Sequence, residues 1–197
     1  MSEFNIVLAG VGGQGTLLAA QILGVAAVMN GLNVRVSEIH GMAQRGGAVM
    51  SNVRIGDGVY SPMILEGQAD VLLGFEPLET IRSLKYASEK TFVIMGDRKI
   101  PPTELAARDE KYPEIREVLE KVYVFTKKVS VVQAERLAKQ AGNILTQNVV
   151  LIGALAAAVK LPVKTDSLLQ AMRELVPEKY VDVNLRAFRL GYDAVKA

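Results

Sequence analysis

The fold is decided near the start of the chain by the stretch FNIVLAGVGGQGTLLAAQILGVAAVMN, residues 4–30. Its first six residues, Phe4–Ala9, are mostly apolar in a continuous run, which is typical of a strand buried in a parallel sheet. Four glycines within Gly10–Gly15 predict a turn, and the apolar spacing of Thr16–Met29 predicts a helix. A second strand at Val34–Ile39 completes a β-α-β opening, for which a right-handed crossover is expected.

The segments that follow predict a mixed sheet. Gly47–Ile55 has the pattern of a third strand, and Gly56-Asp57-Gly58 predicts a tight turn after it. The chain would then return along Val59–Ile64 as the antiparallel partner of a hairpin. Together with the β-α-β opening, this pattern predicts a three-layer α/β/α fold with a Rossmann-like opening and a mixed sheet.

The rest of the chain alternates between strand and helix patterns. We expect further strands at Asp70–Phe75, Thr91–Met95 and Val122–Thr126, and helices at Pro77–Ser88, Val131–Ala141, Gln147–Val159, Ser167–Leu175 and Val183–Val195. No repeat and no linker rich in Gly, Ser or Pro divides these elements. Residues 1–197 are therefore expected to form a single domain.

Composition narrows the classes of function. The formal net charge of +2 and the 6% of aromatic residues give no basic, aromatic stripe for nucleic acid. The chain has no cysteine and one histidine, which excludes disulfides, all-Cys iron–sulfur clusters and a multi-histidine metal site within one chain. The longest apolar run is about half of the roughly 20 residues that a membrane span needs. The N-terminal residues lack the pattern of a secretory leader, so we expect a cytoplasmic protein without its own metal.

The first glycine turn is a candidate binding site. Glycines at positions 10, 12 and 15 fit the G-x-G-x-x-G pattern, and Glu38 ends the next strand, where a dinucleotide-binding domain places its ribose acid. The N–H groups of Gly12–Gly15 and the dipole of the following helix favour an anion. The amide of Gln14, at the mouth of the loop, can both donate and accept hydrogen bonds. A dinucleotide site and a tight turn that binds nothing remain open.

A second loop, between the second and third strands, contains an arginine beside two glycines: Gln44, Arg45, Gly46 and Gly47. The planar guanidinium of Arg45 suits a phosphate or a carboxylate, whereas the alternative is a surface arginine at a turn. His40 precedes this loop, and the chain offers no obvious nucleophile for it to activate. We therefore interpret His40 as an orienting hydrogen-bond group rather than a proton carrier. Because both loops lie at the ends of consecutive strands, we expect them at one edge of the sheet.

Two neighbouring features receive structural interpretations. Ser51 and Arg54 lie within the third strand and are expected to hold the loop rather than contact a substrate. Gly56-Asp57-Gly58 resembles the start of the thiamine diphosphate motif, in which an aspartate and a later asparagine hold magnesium. No asparagine occurs between Asn52 and Asn143, so the second half of that motif is missing. The chain is not expected to bind thiamine diphosphate by itself.

Three stretches together carry a resemblance to a known family: GVGGQG at 10–15, SEIHGMAQRGG at 37–47 and SNVRIG at 51–56. The sequence resembles the gamma-type components of the anaerobic 2-oxoacid:ferredoxin oxidoreductases, and within that family the indolepyruvate enzymes most closely. Weaker matches extend it over nearly the whole chain, at Asn148, Leu151, residues 153–155, 161–162, Asn184, residues 187–188 and Gly191. The fold implied is that of domain III of pyruvate:ferredoxin oxidoreductase.

The resemblance implies a division of labour between two chains. Enzymes of this family decarboxylate indolepyruvate, pyruvate, ketoisovalerate or another 2-oxoacid on thiamine diphosphate, reduce ferredoxin through iron–sulfur clusters and release an acyl-coenzyme A. The large partner subunit carries the thiamine diphosphate, its Mg and the clusters, so this chain would be active only with that partner. In this family the gamma-type domain packs over the active site and is associated with the coenzyme A side of the reaction. This assigns coenzyme A to two sets of residues: Gly12, Gly13, Gln14 and Gly15, and Gln44, Arg45, Gly46 and Gly47.

Two further alternatives stay open. The first glycine loop also fits a non-catalytic dinucleotide-binding or regulatory domain, which equilibrium binding of coenzyme A against NAD would distinguish. The predicted helix Gln147–Val159 is apolar on nearly every face, so it is buried either in the core or against another chain. An uncovered apolar face favours self-association, and we expect a homodimer when the chain is isolated.

Overall fold

The computed structural model describes residues 3–41, 47–102 and 111–196. Six strands in these ranges form one sheet: β1 Phe4–Val11, β2 Val34–His40, β3 Ala48–Ile55, β4 Val71–Gly74, β5 Phe92–Gly96 and β6 Val129–Val132. Seven α-helices are described with them: α1 Thr16–Met29, α2 Pro77–Arg82, α3 Ile115–Val122, α4 Ala134–Ala141, α5 Gln147–Ala158, α6 Thr165–Leu175 and α7 Val181–Lys196.

The strand order is β2-β3-β1-β4-β5-β6. Strand β3 runs antiparallel to both of its neighbours, β2 and β1, whereas β1, β4, β5 and β6 pair in parallel. The predicted α/β class with a mixed sheet is therefore confirmed. The first two strands of the β-α-β opening run in the same direction, but β3 lies between them.

The predicted hairpin over Val59–Ile64 is wrong. These residues form no strand, and the antiparallel partners of β3 are β1 and β2 instead. The guanidinium of Arg54 holds the segment against the sheet, because its NH1 donates to the carbonyl oxygens of Ser61 at 2.9 Å and Met63 at 2.8 Å. The interpretation of Arg54 as a residue that holds structure is consistent with these bonds.

The predicted strand over Val122–Thr126 is also wrong. Val122 is the last residue of α3, whose apolar side chains Val118 and Val122 are buried one helical turn apart. The Glu114 N–H donates to the Glu117 carboxylate at 2.7 Å and starts this helix. The strand on this side of the sheet is β6, at Val129–Val132, so the next helix begins at Ala134 rather than Val131.

Helices cover both faces of the sheet. Ile6 and Leu8 of β1 belong to a core shared with α1 and α4–α7, whereas Val7 and Ala9 belong to a smaller core with the buried residues of α3. Residues 148–155 of α5 are buried in the larger core, so this apolar helix packs within the chain itself. No helix in the described ranges is both long and apolar enough to cross a membrane.

Two glycines allow the backbones of α5 and α7 to touch. A Cβ atom at Gly153 would lie 2.1 Å from the Phe188 carbonyl oxygen, and one at Gly191 would lie 1.9 Å from the Val150 carbonyl oxygen. Both distances are far below a van der Waals contact, so any side chain would force the helices apart. The close crossing of α5 and α7 therefore requires glycine at both positions.

Gly191→Ala is expected to lower the free energy of unfolding by at least about 2 kcal/mol, because the added methyl overpacks the crossing. The same change in an exposed helix would stabilise it by roughly 1 kcal/mol. Urea denaturation measures the difference. Gly58→Ala is the control, since its Cβ would meet no atom closer than 3.7 Å. A Gly191→Ala variant as stable as the parent chain would contradict the close crossing.

Candidate functional site

The carboxyl ends of β1, β4 and β5 lie side by side at one edge of the sheet. Strand β1 is where the order reverses, because β3 and β2 lie on one side of it and β4, β5 and β6 on the other. In open α/β sheets, ligands bind in the crevice outside the carboxyl ends of the strands at such a point. A ligand site is therefore expected at this edge of the sheet.

Both glycine loops reach this edge. The Gly12 N–H donates to the Gly47 carbonyl oxygen at 2.9 Å, and the Gly41 N–H donates to the Ala48 carbonyl oxygen at 2.8 Å. The expectation that the two loops share one edge is thus confirmed for Gly12 and Gly47. Three predicted site residues, Gln44, Arg45 and Gly46, and the side chain of His40 lie outside the described part of the chain. Their roles stay predictions.

The first glycine loop presents backbone toward open space. Gly13 has a φ of +97°, and a Cβ built there would meet no atom of the described residues within 4 Å. Gly15 has a φ of +77° and stands at the N-cap of α1, so the N-cap residue has no side chain that could cap the first-turn N–H groups. A Cβ at Gly15 would also lie 2.5 Å from Nδ2 of Asn148. The loop needs glycine at position 15 both for its left-handed backbone and for this close packing.

The side chain of Gln14 holds the loop in place. Its Oε1 accepts from the Val11 N–H at 2.8 Å, and its Nε2 donates to the Phe75 carbonyl oxygen at 2.9 Å. The amide oxygen and the amide nitrogen therefore both form hydrogen bonds within the chain, and these bonds join the loop to the residue after β4. Gln14 contributes to any ligand site at this edge by positioning the loop.

Sequence reasoning missed two polar residues beside the loop. Arg98 follows β5, and Gln147 begins α5, and both line a narrow cavity of about 40 Å³ next to Gly13. The remaining lining residues are Gln14, Phe75, Leu145 and Leu151. A charged residue two positions after a buried strand was the available signal for Arg98. Its nearness to Gly13 depends on the order of the strands, which the sequence does not display.

The helices α1 and α5 start beside each other at this cavity. The Asn148 Nδ2 donates to the Gly15 carbonyl oxygen at 3.3 Å, and its Oδ1 accepts from the Val149 N–H at 3.0 Å. Asn148 thus ties the start of α5 to the start of α1. Two positive helix ends and the Arg98 guanidinium make this edge attractive to an anion.

Acidic residues beside α4 partly offset the positive charge of Arg98. The Arg98 Nε lies 3.4 Å from a carboxylate oxygen of Glu135, and the Lys139 ammonium, which also pairs with Glu135, lowers the pKa of that carboxyl. Burial raises the pKa of the Asp97 carboxyl, while hydrogen bonds from its own N–H and that of Ala134 act in the opposite direction. No group of three or more His, Asp or Glu side chains suited to a metal occurs among the described residues.

A buried carboxylate, that of Glu76, lies just after the end of β4. Glu76 is fully buried, and its carboxylate accepts from the Glu79 N–H at 2.9 Å and the Ile100 N–H at 3.1 Å. The Tyr112 hydroxyl donates to the same carboxylate. Burial is the largest cause that raises the pKa of Tyr112, and this hydrogen bond to Glu76 is the next largest. Glu76 therefore caps α2 and anchors residues on both sides of positions 103–110.

The strand order weakens the dinucleotide alternative. A dinucleotide-binding domain carries its ribose acid on the strand next to the one that enters the glycine turn. Glu38 lies on β2, and β3 separates β2 from β1. Neighbouring strands are about 4.8 Å apart, so β2 runs roughly 10 Å from β1. Glu38 is therefore displaced from the position that this alternative requires.

Comparison with known proteins identifies the family. The family model of pyruvate ferredoxin/flavodoxin oxidoreductase matches residues 5–194. The chain belongs to this family. It is 46% identical, over 100% of its own length and 98% of the relative's, to indolepyruvate oxidoreductase subunit IorB of Pyrococcus horikoshii. It is 28% identical to the common subunit gamma of the pyruvate/ketoisovalerate oxidoreductases of Pyrococcus furiosus, covering 93% of this chain and 92% of the relative.

Solved structures agree with this assignment. The crystal structure of a keto/oxoacid ferredoxin oxidoreductase gamma subunit from Geobacter sulfurreducens superimposes with a TM-score of 0.69 at 25% identity, covering 98% of both chains. The present chain is thus a subunit of a 2-oxoacid ferredoxin oxidoreductase, and it has the fold of the gamma subunits. The resemblance to the gamma-type components of 2-oxoacid:ferredoxin oxidoreductases is confirmed.

Gln14→Leu is expected to lower the free energy of unfolding by about 2 kcal/mol, because it leaves the Val11 N–H and the Phe75 carbonyl oxygen without their partner. Urea denaturation gives the value. Gln140→Leu on α4 is the matched control, since Gln140 is exposed and should change stability by less than about 0.5 kcal/mol. Equal stability of the two variants would show that the Gln14 amide does not hold the loop.

Proposed function

We propose that this chain supplies the coenzyme A side of a 2-oxoacid:ferredoxin oxidoreductase and completes the active site on a large partner subunit. The reaction is the oxidative decarboxylation of indolepyruvate or a related 2-oxoacid, such as pyruvate or ketoisovalerate, to an acyl-coenzyme A, with the electrons passing to ferredoxin. In this proposal thiamine diphosphate, Mg and the iron–sulfur clusters all belong to the partner.

One observation carries the proposal. The two glycine loops meet at the carboxyl edge of the sheet, where the Gly12 N–H donates a hydrogen bond to the Gly47 carbonyl oxygen. The backbone of Gly13 is open to solvent beside them, and no side chain at the N-cap competes for the first-turn N–H groups of α1. Such an arrangement suits a phosphate-bearing ligand that the backbone must approach closely. Coenzyme A carries a diphosphate and a further phosphate, so its charge fits this edge.

The residues beside the loops fit such an anion. Arg98 and the start of α5 line the cavity beside Gly13, so positive groups lie next to the loop. Arg45, in the second glycine loop, would add a planar guanidinium that suits phosphate oxygens. When bound, coenzyme A supplies the thiol that accepts the acyl group. The residues of this chain would bind and orient its phosphates.

Exposed leucines beside the site support a partner that covers it. Leu145, in the cavity wall, is 75% exposed, and Leu17, in the first turn of α1, is 41% exposed. Two large apolar side chains left in solvent around a candidate site are typical of a protein interface. His40 is proposed to orient the second loop in this interface.

The isolated chain is expected to have no oxidoreductase activity. Electron transfer from a 2-oxoacid needs a carbanion-stabilising cofactor and a redox centre, and the chain has no cysteine and no complete thiamine motif to hold them. The measurement is dye reduction by the purified chain with thiamine diphosphate, coenzyme A and indolepyruvate, repeated after addition of the large subunit. Turnover before that addition would refute the division of labour.

Arg45→Ala in the complex is expected to weaken coenzyme A binding by roughly 1.5–3 kcal/mol, the usual contribution of a charge-assisted hydrogen bond. Oxoacid-dependent reduction of the enzyme without coenzyme A should change much less. Calorimetric titration with coenzyme A and with NAD measures the effect and tests the dinucleotide alternative. Arg116→Ala is the control, because Arg116 lies on the exposed face of α3.

A different pattern would overturn the assignment. If Arg45→Ala abolished decarboxylation and left the affinity for coenzyme A unchanged, the arginine would serve the oxoacid carboxylate or the interface. If NAD bound more tightly than coenzyme A, the dinucleotide domain would replace the proposal. His40→Ala should differ from Arg45→Ala, because a loosened loop would affect coenzyme A binding and partner assembly together.

A further inference from the structure

A second cavity lies at the same edge of the sheet as the glycine loops, beyond the ends of the parallel strands β5 and β6. The Asp97 N–H donates to the Val132 carbonyl oxygen at 3.1 Å, so the segments that follow the two strands start beside each other. Arg98 and Lys99 lie in the segment after β5, and α4 begins at Ala134 after β6. The cavity that they border has a volume of about 430 Å³.

Charged side chains line this cavity. The described residues around it are Asp97, Arg98, Lys99, Glu135, Arg136 and Lys139. Lys99 is set apart from the others, because its ammonium lies 2.7 Å from a carboxylate oxygen of Glu114. Among the remaining residues three cations stand beside two carboxylates, and a cleft with an excess of one sign of charge attracts ligands of the opposite sign. The cavity therefore suits an anion.

The carboxylate of Glu135 holds two of these cations in place. One of its oxygens lies 2.5 Å from the Lys139 ammonium, and the other lies 3.4 Å from the Arg98 Nε. The Arg136 Nε donates to the Gln133 Oε1 at 2.6 Å. A guanidinium has five N–H donors, and a bond through Nε uses one of them. These contacts therefore fix the positions of the cations and leave N–H donors that a phosphate can meet.

Arg98 connects this charged cavity to the glycine loop. Its side chain also lines the narrow cavity beside Gly13, so the same residue borders both cavities. A ligand with one anionic group at the glycine loop can therefore place a second anionic group among the charged side chains. Coenzyme A has such a pair of groups, because one ribose separates its 3′-phosphate from its diphosphate.

We propose that the charged cavity binds the 3′-phosphate of coenzyme A through Arg136 and Lys139. The inference rests on the proposed function, in which the glycine loops hold the diphosphate. Guanidinium and ammonium groups both bind phosphate oxygens, the first in a planar fork and the second as a point charge. NAD has a diphosphate but no phosphate on its adenosine ribose. The cavity thus distinguishes coenzyme A from a dinucleotide that fits the same glycine loop.

The test compares coenzyme A with 3′-dephospho-coenzyme A in calorimetric titrations of the complex with the large subunit. The parent complex should bind coenzyme A at least about tenfold more tightly than the dephospho form, because one of them lacks the charge-assisted hydrogen bonds. Arg136→Gln and Lys139→Gln should each weaken coenzyme A binding by about tenfold and change the affinity for the dephospho form by less than about twofold. Both side chains are exposed, so the fold should tolerate these changes.

Lys121→Gln is the matched control. Lys121 is exposed in the last turn of α3, as Lys139 is in the last turn of α4, and the two helices pack on opposite faces of the sheet. This variant should bind both ligands as the parent complex does. Urea denaturation of all three variants checks that their stabilities are equal, so that a change in affinity reports on the cavity.

Three results would overturn the inference. If the parent complex bound both ligands equally, the 3′-phosphate would have no site. If the parent preferred coenzyme A and the variants of Arg136 and Lys139 kept that preference, the partner subunit would hold this phosphate. If the variants weakened both ligands equally, the two cations would act on the shared part of the ligand. Failure of the complex to bind either ligand would overturn the proposed function as well, which separates the two conclusions.

Discussion

The antiparallel ladder between β1 and β3 is the contact on which the rest of the structure depends. It runs from the pair Phe4–Ile55 to the pair Val11–Ala48, the full length of both strands. Because it ends at Val11 and Ala48, the first residues beyond it, Gly12 and Gly47, are brought together. The same ladder inserts β3 beside β1 and leaves β2 at the end of the sheet. The position of the candidate site and the position of β2 as an edge strand are therefore two consequences of one pairing.

The candidate site is rigid because the chain satisfies its polar groups from within. Gln14 joins the first loop to β4, Asn148 joins the start of α5 to Gly15, and Glu76 closes the end of β4. These bonds leave backbone groups at Gly13 and the start of α1 directed outward. A preorganised loop of this kind loses little entropy when it binds an anion. This suits the proposed role, in which the chain binds coenzyme A for a reaction on the partner subunit.

The sequence predicts best the elements whose pattern is local and long. The strand at Phe4, the helix from Thr16 and the helices from Gln147 onward lie within about two residues of their predicted bounds. The predicted hairpin failed because Gly56-Asp57-Gly58 is a strong local turn signal, whereas the partner of β3 is decided by β1, far away in sequence. Val122–Thr126 failed because short apolar runs fit both helix and strand.

Of the candidate site, the sequence could predict only the two glycine loops. The two loops could be located from residue types, since glycine and arginine in such density suit a binding loop better than a core. Arg98 and Gln147 could not be placed, because their nearness to Gly13 follows from the strand order and from the packing of α5. A charged residue after a strand acquires meaning once the neighbouring strands are known.

The buried Glu76 carboxylate also has a consequence for the segment that it borders. It accepts from Ile100 on one side of positions 103–110 and from Tyr112 on the other, so both borders of that segment are fixed to the same group. The residues on both sides of positions 103–110 therefore keep their places against the sheet through a group that lies outside that segment. A substitution within positions 103–110 is expected to leave these two anchors and the end of β4 in place.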